Sequence, residues 1–295
     1  MSNEKIKITD KEGKVFEISR EDFAKAMLRE AEENKENGEQ LFYIGHALIS
    51  EKFYEEAIKI FSMARDIEPM NVTYDNALGV CYLQMENYKD AKNFYKEHIK
   101  RFPDSALGYL NIAKAYDYLR QDEELVKNLK KSLELNPNLY NSLLYWLMYC
   151  KENNLLDEGI AFLLSLAESR ENVWGPYLIV ALESEDRGDA AHALEYADKA
   201  LMRKIDNGCA FADLAALYSK MGKIEKAIDI LEQREKIEEL GFKELWNLAV
   251  AYFEASQVEK AAFIVKKLEE MAQDSESQSY VQSLKNYWLE EKTDS

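Results

Sequence analysis

The sequence has few residues that interrupt helices. It contains four prolines and 11 glycines among 295 residues, while 47% of its residues are apolar. Three of the prolines, Pro69, Pro103 and Pro137, follow one another at intervals of 34 residues. This composition is typical of a nearly all-helical protein with a long continuous core, and the spacing of the prolines indicates a repeated unit.

Cysteine is also scarce. Cys81, Cys150 and Cys209 are widely separated, odd in number and without CxxC spacing. The sequence does not open with a basic segment followed by an apolar one, and no apolar run reaches the ~18 residues that a membrane span needs. We therefore expect a soluble, unexported, cytoplasmic protein whose reduced cysteines behave as small buried hydrophobic residues.

Basic residues are in deficit. The chain has 38 Lys and Arg against 55 Asp and Glu, which gives a formal net charge of −17. An acidic chain repels phosphate backbones and anionic membranes, so we predict neither nucleic acid nor a membrane as partner. A neutral to basic protein or peptide is the expected partner.

The segment from Asn71 to Pro103 shows the repeated unit most clearly, because it reads as two short amphipathic helices that end at a proline. Its two helical faces carry Leu78, Gly79 and Tyr82, then Ala91, Tyr95 and His98. Leu-Gly, Tyr, Ala, an aromatic residue and Pro in this order resemble the tetratricopeptide repeat, a helical hairpin with a period of 34 residues. The resemblance implies an all-α, right-handed α-solenoid.

A 34-residue period counted from Gly38 predicts seven tandem repeats without an insertion. The predicted starts are Gly38, Val72, Ala106, Tyr140, Trp174, Gly208 and Phe242. Small residues recur where the two helices of a repeat approach each other, and Leu125 and Leu147 are exceptions. They predict wider helix spacing in the third and fourth repeats. Pro176 falls in the first turn of a helix, which it is expected to start.

Residues 1–37 do not follow the period. Polarity alternates from Lys5 to Ile8 and from Val15 to Ile18 on either side of a turn-like segment, residues 10–13, which predicts a small β-hairpin. Ser19 followed by Asp22 resembles a capping box and predicts the start of a helix. We expect this region to cap the first repeat, with strand addition to a partner or a second copy as the alternative.

The repeats are predicted to occupy residues 38–275, and residues 276–295 form a C-terminal capping helix and tail. The apolar stripe of this helix contains Tyr280, Val281, Leu284, Tyr287 and Trp288. Such an amphipathic helix is expected to cover the last repeat.

The resemblance also implies a binding surface. Tetratricopeptide arrays hold peptides or helices in a concave groove lined by the first helix of each repeat. The corresponding residues here are mostly apolar or aromatic, with amides able to hold a peptide backbone, which favours an apolar or helical segment of a partner. The predicted groove residues are Phe42, Tyr43, His46, Asn76, Val80, Leu83, Leu110, Asn111, Lys114, Tyr118, Asn141, Tyr145, Met148, Leu178, Leu182, Trp246, Asn247 and Phe253.

One activity of similar repeats is not expected. Those that hold the acidic C-terminal tails of heat-shock chaperones use a clamp of Lys, Arg and Asn side chains for two carboxylates. The corresponding positions here are occupied by Phe42, His46, Ala77, Leu107 and Asn111, none of which is a lysine or an arginine. We therefore predict that the chain does not bind such tails.

Catalytic motifs are not found in the sequence. It has no glycine-rich phosphate loop, no HExxH and no GxSxG, and its three histidines fall in different repeats. Asp186, Asp189 and His192 come closest to a metal site, but they offer a single nitrogen ligand. We predict no metal, no cofactor and no enzymatic activity.

These observations predict a non-catalytic protein-protein interaction scaffold that binds an apolar or helical segment in its groove. The alternative is a peptide-sensing regulator that resembles the bacterial tetratricopeptide pheromone receptors. Those proteins carry an additional DNA-binding or effector module, and residues 1–37 show none. An enzyme ranks third.

Overall fold

The computed structural model describes residues 5–9, 15–168, 170–236, 239–272 and 275–291. The predicted turn at residues 10–13, the last four residues and the side chains of Tyr287 and Trp288 lie outside the described part. Two compact units are present, unit 1 (residues 1–136) and unit 2 (residues 137–295), and their boundary falls inside the predicted array of residues 38–275.

Unit 1 begins with a small antiparallel sheet. Strand β1 (Lys5–Thr9) pairs with β2 (Val15–Ser19) so that Ile6 lies opposite Ile18. Seven helices follow, namely α1 (Arg20–Glu33), α2 (Gly38–Ser50), α3 (Tyr54–Ile67), α4 (Val72–Gln84), α5 (Tyr88–Arg101), α6 (Ala106–Tyr118) and α7 (Asp122–Leu135).

Unit 2 consists of helices among its described residues. They are α8 (Tyr140–Glu152), α9 (Leu156–Glu168), α10 (Gly175–Asp186), α11 (Ala190–Leu201), α12 (Gly208–Lys220), α13 (Ile224–Glu235), α14 (Phe242–Glu254), α15 (Val258–Met271) and α16 (Ser275–Glu291). The prediction of an all-α chain of helical hairpins with an N-terminal β-hairpin is confirmed.

Consecutive helices from α2 to α15 pair into seven hairpins, each with a first and a second helix. Six first helices begin at the predicted residue, and the fifth, α10, begins at Gly175 instead of Trp174. The Asn138 side chain accounts for this shift, because its Oδ1 accepts hydrogen bonds from the backbone N–H groups of Trp174 and Gly175, each at 2.9 Å. Pro176 lies in the first turn of α10, as predicted.

The turn inside each hairpin has the same geometry in all seven. The N–H of the residue before the second helix donates to a carbonyl five residues earlier, as from Phe53 to Leu48 at 2.8 Å, which is the Schellman arrangement. This geometry requires one residue with a left-handed backbone. These residues lie 34 apart, with φ from 56° to 75°, and are Lys52, Glu86, Arg120, Asn154, Gly188, Gly222 and Ser256.

Small residues allow the two helices of a hairpin to meet. A Cβ atom at Gly79 would lie 2.4 Å from Cζ of Tyr95, so no residue larger than glycine fits at this position. In the third hairpin Ala113 and Leu125 are both fully buried and α6 packs closely on α7, so the predicted widening there is wrong. A small residue on one helix makes room for a large one on the other.

The fourth hairpin does depart from the others. Gly159 of α9 faces α8, and the indole Nε1 of Trp146 donates to the Gly159 carbonyl at 3.1 Å. Helices α8 and α9 approach each other less closely than α6 and α7 do. The Trp146 indole therefore fills space between α8 and α9. In the other hairpins, small residues allow the two helices to come close together.

Both ends of the repeats are covered within their own units. In unit 1, Ile6 of β1 and Phe23 of α1 are buried in the core, and the Phe23 ring stacks on Phe53 with centroids 6.0 Å apart. The Ser19 hydroxyl accepts from the Asp22 N–H at 3.0 Å and so caps α1 as predicted. In unit 2, Val281 and Leu284 of α16 are buried in the core of that unit.

The first helices form the inner layer of each unit. Helix α4 approaches α6 in unit 1, and α10 approaches α8 and α12 in unit 2, whereas the described second helices of one unit do not approach each other to the same extent. A stack whose first helices lie closer together curves toward that side. We call the solvent side of the first helices the inner face of each unit.

Candidate functional site

The inner face of unit 1 exposes two large aromatic side chains. Tyr43 on α2 and Tyr118 on α6 are each 60% exposed. Val80 and Leu83 on α4 are half-buried between them, as are Phe42 and Lys114. Burial lowers the pKa of the Lys114 amino group. This face is therefore apolar and aromatic over three consecutive first helices.

His46 adds an uncharged ring to this face. Its ring meets that of Phe42 edge-on with centroids 4.4 Å apart and lies 5.5 Å from that of Phe61. Burial on that side lowers the pKa of His46, so the imidazole is neutral at pH 7. At the other end of the face, the Tyr118 ring stacks on Tyr88 with centroids 4.0 Å apart, which holds Tyr118 in one orientation.

Three of the predicted groove residues are not available for binding. Leu110, Asn111 and Leu178 are buried within their units. The Asn111 amide donates to Asn76 Oδ1 and to the Tyr95 hydroxyl, both at 3.0 Å, so it joins α6 to the preceding hairpin. The prediction that this amide holds a peptide backbone is therefore corrected.

The amide of Asn247 in unit 2 is used in a similar way. Its Nδ2 donates to the Ala212 carbonyl at 2.6 Å, 35 residues earlier in the chain. An amide at this place in a repeat thus links consecutive first helices. This use leaves fewer free amide groups for a partner than the sequence suggests.

Leu178 lies in the core cluster of unit 2, against which Tyr140 packs. The Tyr140 hydroxyl of α8 donates to the Asp213 carboxylate of α12, so α8 and α12 meet across α10. Burial, together with the neighbouring Asp213 carboxylate, raises the pKa of Tyr140. Residues from Val173 to Ala181 are all buried.

The inner face of unit 2 carries a row of ion pairs between consecutive first helices. The carboxylates are largely buried, and the lysines that pair with them are exposed. The pairs are Lys151 with Glu183 at 2.5 Å, Lys220 with Glu185 at 3.1 Å and Lys243 with Asp213 at 2.5 Å. Partners lie 30 to 35 residues apart, so the repeat spacing itself is the sequence signal for these pairs, which sequence reasoning missed.

The other predicted groove residues of unit 2 lie at its surface to different degrees. Asn141 and Met148 are exposed, and the rest are half-buried. The latter are Tyr145, Leu182, Trp246, Asn247 and Phe253. Apolar surface therefore alternates with charged pairs on this face.

Unit 1 also has a cleft on its outer side, between α3, α4 and α5. Its volume is about 470 Å³, and we call it the outer cleft. Asp75 lies at its base and is only 1% exposed. The Asp75 carboxylate accepts a hydrogen bond from Arg101 Nη1 at 2.6 Å and lies 2.7 Å from His98 Nδ1, while Arg65 Nη1 is 3.8 Å away.

A chain of hydrogen bonds continues from Asp75 through His98 to Ser105. His98 Nε2 lies 3.0 Å from the Ser105 hydroxyl, which also accepts from the Gly108 N–H at 3.1 Å and so caps α6. In the neutral imidazole, Nδ1–H donates to Asp75 and Nε2 accepts from Ser105. The order Asp, His, Ser is that of a hydrolase triad, but Ser105 does not line the outer cleft and the His98 side chain is fully buried.

This network predicts how stability depends on pH. Burial raises the pKa of Asp75, but the His98 hydrogen bond and the Arg101 charge outweigh it and hold the pKa below its usual value. The ionised carboxylate therefore stabilises the fold above the unfolded-state pKa of about 3.9, and this contribution is lost as the pH falls through the folded-state pKa.

We expect the free energy of unfolding, measured by urea denaturation from pH 6 to pH 2, to fall more steeply for the natural chain than for Asp75→Asn. Curves that remain parallel over this range would contradict this assignment. The comparison isolates Asp75, since every other carboxylate is shared by both chains.

The candidate metal residues of unit 2 pair with each other. The Asp189 side chain caps α11, and its Oδ2 lies 2.6 Å from Nδ1 of His192. The hydrogen bond to Asp189 raises the pKa of His192, so this exposed pair is an ion pair when His192 is protonated. Among the described residues, no group of three or more His, Cys, Asp or Glu could hold a metal ion.

The cysteines follow the expectation in part. Cys81 and Cys150 are buried, and burial raises the pKa of the Cys81 thiol to about 12. Cys209 is exposed, so the prediction of a small buried residue is wrong at that position. It lies in the first turn of α12, whose buried face begins at Ala210.

Two protein-family models, each described as a tetratricopeptide repeat, match residues 77–105 and 106–139. Residues 77–139 therefore contain tetratricopeptide repeats. The matched segments cover most of the second and third hairpins, and the remaining hairpins have helices of 12 to 14 residues and the same turn geometry. No helix among the described residues is both long and apolar enough to cross a membrane.

Similar repeats occur in larger proteins. Human Protein O-mannosyl-transferase TMTC3 is 28% identical over 190 residues, which are 62% of this chain and 20% of that protein. Protein STIP1 homolog from Dictyostelium discoideum is 30% identical over 106 residues, 36% of this chain and 19% of that protein. The chain thus spans at most about a fifth of the length of these relatives.

The fold is similar to that of the solved structure of yeast Tom70. The two agree with a TM-score of 0.61 over 92% of this chain and 60% of that chain, at 13% sequence identity. At this level of identity the similarity concerns the fold alone.

Proposed function

We propose that the chain is a non-catalytic scaffold that binds an apolar, helical segment of a partner protein on the inner face of unit 1. Tetratricopeptide repeat proteins serve as protein-protein interaction scaffolds. The observation that carries the proposal is the exposure of Tyr43 and Tyr118 on one inner face, with Val80 and Leu83 between them. Large exposed apolar side chains grouped in this way mark binding surfaces.

The character of the proposed partner follows from this surface. A helix presents apolar side chains at every third or fourth residue, which suits a shallow apolar face on three consecutive helices. The formal net charge of −17 favours a neutral to basic partner over nucleic acid or an anionic membrane. The proposal includes a cytoplasmic location. The inner face of unit 2 is less suited to an apolar segment, because its ion pairs would have to be desolvated.

The test is affinity purification from the source cells, quantified by mass spectrometry. We expect a Tyr43→Ala and Tyr118→Ala double variant to recover at least about tenfold less of the main partner, because each fully buried aromatic ring contributes about 1.5–3 kcal/mol. Phe263→Ala is the matched control. This ring is 59% exposed on the second helix α15, outside the inner face, and its removal should leave recovery unchanged.

If the double variant and the natural chain recover equal amounts of the main partner, the assignment of the binding site to the inner face is wrong. A photoreactive phenylalanine at Tyr118 then identifies the bound segment, and crosslinks at every third or fourth residue would support a helix. A hydrolytic activity abolished by Ser105→Ala would overturn the non-catalytic part of the proposal. No observation on the described residues favours the peptide-sensing regulator.

A further inference from the structure

We propose that the outer cleft of unit 1 is a second binding site, which takes a short peptide with a basic group, an apolar side chain and an acidic group in that order from its amino terminus. The cleft lies between α3, α4 and α5, on the opposite side of the first helices from the inner face. Its volume of about 470 Å³ is within the range of sites that hold small ligands.

The lining of the cleft changes in chemistry along α5. Asp90 lies at one end, Phe94 in the middle and Arg101 at the other end. Asp90 and Arg101 are 11 residues apart, which corresponds to about 16 Å along a helix. The Tyr82 ring packs against Phe94 with centroids 5.8 Å apart, so the middle of the cleft is aromatic.

At the basic end of the cleft, the two arginines carry more positive charge than the Asp75 carboxylate balances. Arg101 pairs with the buried Asp75 at 2.6 Å, which balances one carboxylate with one guanidinium. Arg65 lies 3.8 Å from the same carboxylate, beyond hydrogen-bonding distance, and lines the cleft. Its five N–H donors match the geometry of a carboxylate, so an acidic group of a ligand fits beside Arg65.

The acidic end is likewise not neutralised. Asp90 accepts a hydrogen bond from the neutral amide of Asn87 at 2.7 Å, and this bond leaves its charge unbalanced. Glu97, the other exposed carboxylate of the cleft, pairs with Lys100 at 2.6 Å. A basic group of a ligand therefore finds its counter-charge at Asp90.

The other repeats show that the polar base of the cleft is not needed for folding. The places of Asp75 and His98 are taken by apolar pairs in three other repeats, namely Leu41 with Ala64, Leu143 with Leu166 and Leu245 with Leu268, whereas Ser132 and Arg234 stand at the place of His98 in the third and sixth repeats. A buried charge is costly unless it is paired, and apolar residues of similar volume are often at least as stabilising. In the second repeat the polar pair lies where Arg65 and Arg101 both approach the Asp75 carboxylate. A binding site requires such a group of charges.

The length of the ligand follows from the separation of the charged ends. An extended chain advances about 3.3 Å per residue, so about five residues span the 16 Å between Arg101 and Asp90. The probe is the peptide Lys-Ala-Leu-Ala-Asp with a fluorescent label and an amidated carboxyl terminus, and binding is measured by fluorescence polarisation. A second probe, Lys-Ala-Leu-Ala-Ala with a free carboxyl terminus, shows whether a terminal carboxylate replaces the acidic side chain.

Neutral versions of the probe establish the need for both charges. We expect Gln in place of Lys, or Asn in place of Asp, to weaken binding about tenfold each, since each change removes one charge-assisted hydrogen bond. Equal affinity for the charged and neutral peptides would overturn the proposal, and so would the absence of saturable binding at millimolar peptide.

Variants of the chain place the peptide in the cleft. Arg65→Gln should weaken binding about tenfold, whereas Lys59→Gln, which removes the same charge from an exposed position of α3 outside the cleft, should not. Arg65→Glu should reject the probe and accept Lys-Ala-Leu-Ala-Lys. Thermal unfolding verifies that each variant is folded. Unchanged binding to a folded Arg65→Gln would refute the site.

Discussion

Asp75→Asn should lower the free energy of unfolding by about 3 kcal/mol, in urea denaturation followed by circular dichroism at pH 7. The Asp75 carboxylate is 1% exposed and holds both His98 and Arg101. Removal of one partner from a buried, hydrogen-bonded pair costs about 3–5 kcal/mol, and the part-exposed Arg101 places this case at the lower end. The asparagine amide keeps the shape of the side chain, so the loss reports its charge.

Two further variants separate the charge from the position. Asp90→Asn removes an exposed carboxylate from the same cleft and should change stability by less than about 0.5 kcal/mol. The double variant Asp75→Leu and His98→Ala copies the pair Leu41 and Ala64, leaves no buried charge, and should lose less than Asp75→Asn alone. A double variant less stable than Asp75→Asn would show that the polar pair is required by the packing of this repeat.

Trp174→Ala should lower the free energy of unfolding by about 3–5 kcal/mol, because it opens a large cavity in the core of unit 2. Trp174 is 1% exposed and lies at the start of α10. Its indole Nε1 donates to Asp206 at 3.1 Å, and its backbone N–H donates to Asn138. The substitution therefore removes packing and a side-chain hydrogen bond together.

Trp246→Ala is the matched control in the same unit. Trp246 is half-buried on the inner face, so its loss removes less packing and leaves an indentation open to solvent, with an expected cost of about 1–2 kcal/mol. Urea denaturation of both variants at pH 7 measures the difference. If the two substitutions cost the same, Trp174 does not have the role that its burial indicates.

The fold was predictable because a single period runs through the chain. Each repeat uses helices of 12 to 14 residues and the same turn, so one clear copy from Asn71 to Pro103 locates the others. The exception at Gly175 arises from Asn138, which lies in the segment before the previous hairpin. A hydrogen bond between residues 36 positions apart does not alter the 34-residue sequence period, so the period does not predict it.

The candidate site was less predictable, for a related reason. A position within the repeat tells which helix face a residue occupies, but not what covers that face. Leu178 is buried in the core of a unit in which Tyr140 packs and meets Asp213, 73 residues away in the chain. Asn111 is buried because it bonds with Asn76 and Tyr95. Such contacts depend on the curvature of the unit, which single positions do not encode.

The outer cleft was less predictable from the sequence than the fold, but more so than the buried groove residues. Its residues could not be grouped from the sequence, because Arg65 belongs to one repeat and Arg101 to the next. Yet the period does reveal an exception, since Asp75 and His98 stand where three other repeats carry apolar pairs. A departure from the repeat pattern was therefore the available signal for this site.

The residue with a left-handed backbone in each hairpin turn affects the stability of the fold. Five of these seven positions carry residues other than glycine, among them Lys52 and Glu86. A side chain in this conformation costs about 1 kcal/mol relative to glycine. All seven of these residues are exposed, so the glycine content of the turns can adjust the free energy of unfolding one hairpin at a time. A change to glycine at these positions therefore alters stability without removing a side chain from the core.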